Sequence, residues 1–373
     1  RLQPWGDRQQ SAGRAGGADC DPDLSAVAAA EPASAGSADR ITAPTIGLAA
    51  PAVRVALAAV RLPVAAVRLA VAAVGFPVTP VGLAVAAVRF ALAPVRLAGG
   101  RTADPQLAAV RPKLIVTDLD GTFVDAVGEV SAVNRAALEL AAEQGVPVVV
   151  ATGRPSRWLA VLDDLPGIHP RVVVSNGAGL WHLGQQRHTA VFGLDPLLAV
   201  EVADDLRAAI PGLNFALEWG EHFGCEPTLR QQQGDWLVIA PLHELAARPE
   251  PVLKLLAFHD EHGSDELAQR ARAVIGQRLT MTHSHIGEYG LLEISAPGVT
   301  KASGLTGLCL GLGIVPADVA AFGDMPNDLP MLAWAGAGYA IAQGHPLLLE
   351  AGFARTEGPQ DEAVGRTIVQ LLG

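Results

Sequence analysis

KLIVTDLDGT (residues 113–122) is the stretch on which the fold of this chain turns. Leu114 to Val116 form a short apolar run that ends in polar residues, as a parallel strand buried on both faces does. Asp118 and Asp120 follow at its end, with Gly121 and Thr122 next. Along a continuing strand these two carboxylates would share a face. Gly121 permits a sharp turn instead, so that both can face one pocket. Adjacent carboxylates repel, and holding them together calls for a cation. A hard divalent ion with oxygen ligands fits, and Mg²⁺ is the usual partner of phosphates.

Outward from this strand the chain alternates. Ser131 is placed to cap a helix to about Gln144, with Gly145 as its stop. VPVVVAT (146–152) reads as a second buried strand, a helix is expected after Pro155, and RVVVS (171–175) reads as a third strand. The pattern returns with a helix over 300–312, the strand DVAAFGD (318–324), a helix over 327–335, GYAIA (338–342) and two short closing helices. This alternation predicts an α/β fold, a doubly wound parallel sheet with its site at the carboxyl ends of the strands. Asp118, Thr152, Asn176 and Asp324 each end or directly follow an apolar strand, and so converge on one point.

Between Asp120 and Thr152 lie only thirty-one residues, filled by one helix and one strand, whereas the 124 residues between Asn176 and Lys301 are enough for a domain. That insert reads as α+β, with a helix over 195–209, strands in LNFALEW (213–219), WLVIA (236–240), VLKLLAF (252–258), LTMTH (279–283) and LLEIS (291–295), and a helix over 265–275. The expected division is a low-complexity segment 1–112, core 113–181, cap 182–297 and core 298–373.

Other polar residues stand where such a site wants them. Asp324, Asn327 and Asp328 lie in GDMPNDLPML (323–332), and Lys301 opens a helix in GVTKASGL (298–305). Thr152, Gly153 and Arg154 lie in ATGR (151–154). Beside a phosphate, a Thr hydroxyl and a Lys ammonium become a hydrogen-bond donor and a point charge. The order DLDGT, ATGR, a Lys near a helix start, then GDxxND resembles the haloacid dehalogenase superfamily over residues 113–373. An insert between the second and third motifs, with SNGA (175–178), LEI before the Lys motif and DEAVG (361–365), is similar to its Cof-type branch. Met325-Pro326 departs from the small residue more usual there. The resemblance implies a Rossmann-like core, Asp118 as nucleophile and Asp120 as general acid and then base. It implies Thr152, Gly153 and Lys301 around the phosphoryl oxygens. Mg²⁺ would be bound by Asp118, Asp324 and the carbonyl of Asp120, supported by Asp328. The branch's substrates imply a phosphatase for a sugar phosphate, nucleotide or cofactor phosphate. Arg154, Asn176 and Asn327 are placed as support. His283 and His285, with Glu288, fall in a cap loop able to reach the pocket; HSH has no third ligand near it in sequence and is not read as a metal site.

The remainder of the chain is poor in chemistry. Residues 1–50 are rich in Ala, Gly, Ser, Asp and Pro, and a seven-residue unit repeats from 51 to 98, with Val53, Val60, Val67 and Val74 in one phase. Pro51, Pro63, Pro77, Pro80 and Pro94 break it as a coiled coil, at about 3 kcal/mol each in a helix interior. It reads as disordered, as a translated minisatellite or as sequence upstream of a displaced start; the chain opens on Arg1, and no leader peptide is recognisable. The uncharged run from Arg68 to Arg89 carries Pro77 and Pro80 at its middle and is not expected to span a membrane. Of the net charge of −11, residues 113–373 hold −15 and residues 1–112 hold +4. An acidic body disfavours nucleic acid and anionic membranes. Cys20, Cys225 and Cys309 form no framework, which fits a reducing, cytoplasmic setting. A phosphomutase of the same superfamily and a membrane-tethered or scaffold protein are the rival readings.

Overall fold

The computed structural model describes residues 111–229, 234–287, 289–358 and 360–373. The heptad block and Glu288 lie outside them. In chain order the first core segment contains β1 (Leu114–Thr117), α1 (Ala132–Glu143), β2 (Val148–Val150), β3 (Arg171–Val174), β4 (Gly179–His182) and β5 (Arg187–Val191). The insert follows with α2 (Pro196–Ala209), β6 (Asn214–Glu218), β7 (Phe223–Cys225), β8 (Leu237–Ile239), α3 (Leu242–Ala246), β9 (Lys254–His259), α4 (Ser264–Ile275), β10 (Thr280–Thr282) and β11 (Gly290–Ser295). The core resumes with α5 (Lys301–Leu312), β12 (Val319–Gly323), α6 (Leu329–Trp334), β13 (Ala337–Ala340), α7 (Pro346–Glu350), β14 (Ala354–Arg355) and α8 (Ala363–Leu372).

The core is the expected doubly wound parallel sheet, in the order β14-β13-β12-β1-β2. Single parallel bridges, Ala151 to Val173 and Val148 to Ile168, carry it on to β3, which also pairs antiparallel with β4. Alternation along the strands divides the apolar residues between two faces. Ile115, Val148, Val150 and Phe322 pack on α1 and α8, while Leu114, Val116, Val149 and Ala321 pack on α5 and α6. β1 is buried along its whole length because it lies inside the sheet with helices on both sides. Residue 182, the expected start of the cap, is the last residue of β4, and β5 pairs with β4 beyond it.

The insert builds a second sheet, β10-β11-β9-β6-β7-β8, with α2, α3 and α4 packed on one side. On β9, Leu255 and Ala257 face those helices. Lys254, Leu256 and Phe258 face the other way, into the cavity beside Asp118. The helix expected after Pro155 is a correction. Ser156–Trp158 and Ala160–Leu162 are separate 3₁₀ turns, and this bent course lets Arg157 reach Glu218 on β6. The β4–β5 hairpin, β7, α3 and β14 are not among the expected elements.

Asn134 ties the start of α1 to both loops beside the site. Its Nδ2 donates to the carbonyls of Phe123 (2.9 Å) and Asp361 (3.0 Å), and its Oδ1 accepts from the Gly365 N–H at 2.8 Å. Asn134→Leu keeps the branched outline of the side chain and orphans these buried groups, at about 1–3 kcal/mol for each one left unpaired. A loss of about 2 kcal/mol or more in unfolding free energy, read as a lower urea midpoint, is the expected outcome; an unchanged midpoint would mean that this junction is not structural.

Candidate active site

The residues singled out at the strand ends meet. Asp118 directly follows β1, and its N–H donates to the Phe322 carbonyl at 2.9 Å, so its backbone belongs to the sheet. Lys301, the first residue of α5, is fully buried. Its Nζ donates to Asp118 Oδ1 at 2.5 Å and to Asp328 Oδ1 at 2.7 Å. The other oxygen of Asp328 accepts from the N–H groups of Asp324 (3.0 Å) and Met325 (3.1 Å). Asp324 accepts from the Thr122 hydroxyl at 2.7 Å. Two glycines admit this crowding. A Cβ on Gly121, whose φ is +76°, would lie 2.4 Å from Asp324 Oδ2. A Cβ on Gly177 would lie 2.0 Å from the Thr300 carbonyl, so the SNGA loop can press on the turn that launches Lys301 only as glycine.

Asp118, Asp324 and Asp328 offer oxygens within 4.8 Å of one another, all buried. Burial raises the Asp118 carboxyl well above its ordinary value, Lys301 opposes this, and Asp328 and Asp324 raise it further. Burial, with Asp328 beside it, pushes Asp324 up to about 7. Burial alone would lower Lys301, but Asp118 and Asp328 outweigh it and hold the ammonium protonated. One ammonium against three buried carboxylates leaves a deficit of positive charge that a divalent cation with oxygen ligands fits.

Asp120 stands apart from this cluster. Its carboxylate is about half exposed and is gripped bidentately by Arg154, Nη2 to Oδ1 at 2.6 Å and Nε to Oδ2 at 2.8 Å. A third guanidinium nitrogen of Arg154 donates to the Trp158 carbonyl at 3.0 Å. Arg154 therefore holds Asp120. Thr152 is buried at the end of the second strand, and its Oγ accepts the Arg154 N–H at 3.0 Å. Gly153 lines the cavity beside Asp118 and Asp120. Asn176, in the left-handed region at φ 56°, accepts from Asn327 Nδ2 at 3.0 Å, a bond from the third strand to the Asp328 turn.

The two cap histidines part company. His285 lines the cavity and stacks on Tyr289 at 4.2 Å. His283 does not; it is buried with Nε2 3.1 Å from Asp265 Oδ1, while His345 of the core holds Asp265 Oδ2 at 3.1 Å. This His–Asp–His group ties cap to core. The Leu347 N–H donates to His345 Nδ1 at 3.2 Å, so a neutral ring keeps its proton on Nε2, the atom a metal would need. Sequence reasoning also passed over Lys254 and Glu293, buried and paired at 2.6 Å on the cap face of the cavity. The Lys254 ammonium donates as well to the Gly153 carbonyl at 2.9 Å. The signal was present as one charge inside each apolar run, VLKLLAF and LLEIS.

With this geometry in hand, comparison with known proteins gives a consistent picture. Residues 115–368 match the family model of haloacid dehalogenase-like hydrolases, and the chain belongs to that family, in its Cof-type branch. The YxeH protein of Bacillus subtilis (strain 168) is 29% identical over 276 residues, covering 70% of this chain and 98% of that protein. The 5-amino-6-(5-phospho-D-ribitylamino)uracil phosphatase YwtE of the same organism is 27% identical over 290 residues, covering 70% and 98%. In fold, the crystal structure of SMU.1108c from Streptococcus mutans UA159 is similar at a TM-score of 0.59 and 22% identity, covering 70% of this chain and 99% of that one. Among the described residues no helix is long and apolar enough to cross a membrane.

The carboxylate cluster has a signature in stability. The Asp324 carboxyl takes its proton near pH 7 in the fold, against 3.8 ordinarily, so the folded chain holds more protons than the unfolded one between those values. Its contribution without a divalent ion therefore falls as pH rises from about 4 to 7. Melting temperatures should show a stabilisation by Mg²⁺ that grows over this range. Asp324→Asn should raise the metal-free melting temperature at neutral pH and remove most of the Mg²⁺ effect. Equal Mg²⁺ responses in both proteins would contradict this.

Proposed function

We propose that the protein is a Mg²⁺-dependent phosphatase that hydrolyses a small phosphorylated metabolite through an aspartyl-phosphate on Asp118. The observation that carries this reading is the placement of Asp118. It lies 2.5 Å from a fully buried ammonium and beside two further buried carboxylates, on a cavity that Asp120 also lines. The phosphatases among the chain's relatives support the same reading.

In this mechanism an oxygen of Asp118 attacks phosphorus, the bond from phosphorus to the alcohol oxygen breaks, and Asp120 gives its proton to that oxygen. Asp120 then takes a proton from a water molecule. The water oxygen attacks phosphorus, the bond to Asp118 breaks, and inorganic phosphate leaves with Asp118 restored. Lys301 places a fixed charge beside the transferring oxygens, and Thr152 and Gly153 present a hydroxyl and a main-chain N–H from the next strand. Asp118, Asp324 and the main-chain carbonyl of Asp120 would hold Mg²⁺, with Asp328 in support; the ion would neutralise phosphate charge. Arg154 keeps the Asp120 carboxylate out of the cluster, and one of the two oxygens it grips is released to carry the proton in the acid step.

Asp118→Asn should abolish turnover, because an amide does not attack phosphorus, and acid-quenched wild-type enzyme should carry phosphate on Asp118 alone. Phosphate trapped on another residue would end this mechanism. Asp120→Asn should lower turnover of alkyl phosphates by about 10²–10⁴-fold while sparing p-nitrophenyl phosphate, whose leaving group needs little protonation. Equal losses on both esters would remove Asp120 from the acid role.

A further inference from the structure

The phosphatase reading leaves the alcohol half of the substrate open, and the walls of the cavity bear on it. The cations described around the cavity are already spoken for. Arg154 gives three nitrogens to Asp120 and to the Trp158 carbonyl. Lys254 donates to Glu293 and to the Gly153 carbonyl. Arg157, next to the cavity, is held bidentately by Glu218 at 2.6 and 2.9 Å and donates to the Gly220 carbonyl at 2.7 Å. Glu293 stays ionised: burial would raise its carboxyl, but Lys254 and the Ser284 hydroxyl bring it below its usual range. The groups facing a bound alcohol from the cap are thus neutral in sum, with carboxylate oxygens of Glu218 and Glu293 among them.

A second anion in the substrate would find no unpaired cation among these described residues and would meet those carboxylates, within a body of net charge −15 over residues 113–373. Burying an unpaired charge there is costly. The rest of the cap wall is apolar and flat. Leu256, Phe258 and Leu291 project from adjacent strands, and Tyr289 stacks with His285 at an interplanar angle of 24°. Beside them the Ser284 hydroxyl, 2.6 Å from Glu293, offers a polar contact suited to a hydroxyl.

We infer that the enzyme selects phosphate monoesters whose alcohol half is uncharged and carries a flat or apolar group, and that the Lys254–Glu293 pair enforces the charge rule by leaving no cation for a second anion. This rests on the phosphatase reading. It also sets the protein apart from a phosphomutase, which must hold two phosphates at once.

The test uses the full chain with Mg²⁺ and three esters of similar leaving-group basicity: benzyl, ethyl and 4-carboxybenzyl phosphate. The expected kcat/KM for benzyl phosphate exceeds those for ethyl and for 4-carboxybenzyl phosphate by about tenfold or more each. Glu293→Gln frees the Lys254 charge and should narrow the gap between benzyl and 4-carboxybenzyl phosphate by about tenfold. Phe258→Ala should narrow the gap between benzyl and ethyl phosphate. Turnover of all three esters at similar rates, or a preference for the carboxylate, overturns the inference and leaves the phosphatase reading standing. An unchanged carboxylate penalty in folded Glu293→Gln removes the pair from its role. No turnover of any ester overturns both. The wild-type ratios decide the selection rule even if a variant fails to fold.

Discussion

The contact on which this structure depends is a buried ammonium held by two carboxylates, Lys301 between Asp118 and Asp328. A buried ion pair gains little net stability, because desolvation cancels most of its attraction. What it provides is position. The three residues come from the end of β1, the start of α5 and the turn after β12, segments that are far apart in the chain. Lys301 draws these ends together and sets Asp118 at the cavity rather than in the core. The glycines at 121 and 177 follow from that demand, since each stands where any side chain would collide with the assembly.

The same logic extends into the cap. Three ties join the inserted sheet to the core: Lys254 to the Gly153 carbonyl, Glu218 to Arg157, and Asp265 with His283 to His345. Each joins a charged or titratable cap side chain to a loop at the carboxyl edge of the core sheet. The cap therefore registers against loops at the rim of the cavity beside Asp118, which is where a substrate would be read.

The core was legible in the sequence because its signals are local. An apolar run ending in Asp, Thr or Asn marks a buried strand and its exit, and Ser131 and Thr300 mark helix starts by their own side chains. Four such ends in one parallel sheet must converge, so Asp118, Thr152, Asn176 and Asp324 could be placed together before any contact was seen. What escaped depends on partners remote in sequence. His283 looked like half of a pair with His285, but its partners are Asp265 and His345. Lys254 and Glu293 were single charges inside apolar strands, and their pairing shows only once β9 and β11 lie side by side against the Gly153 loop. Arg154 was placed as support without a partner, and its partner is Asp120, which occupies its fork. The region after Pro155 carried a helix-starting proline, yet it forms two separate 3₁₀ turns, with Arg157 paired to Glu218 on β6.

The arrangement of the sheet also bears on how the chain is made. β1 lies in the middle of the core sheet, paired on one side with β2 and on the other with β12. The first partner follows after about 30 residues, the second only after about 200, because the whole cap intervenes. On a ribosome adding about 5–20 residues each second, that second edge stays open for roughly 10–40 s. Through that interval the edge of a strand that is apolar except at Thr117 waits unpaired, the kind of edge that recruits strands from other chains. The inserted sheet thus lengthens the newborn chain's exposure to aggregation, and the burden of protecting that edge falls on the cell during synthesis.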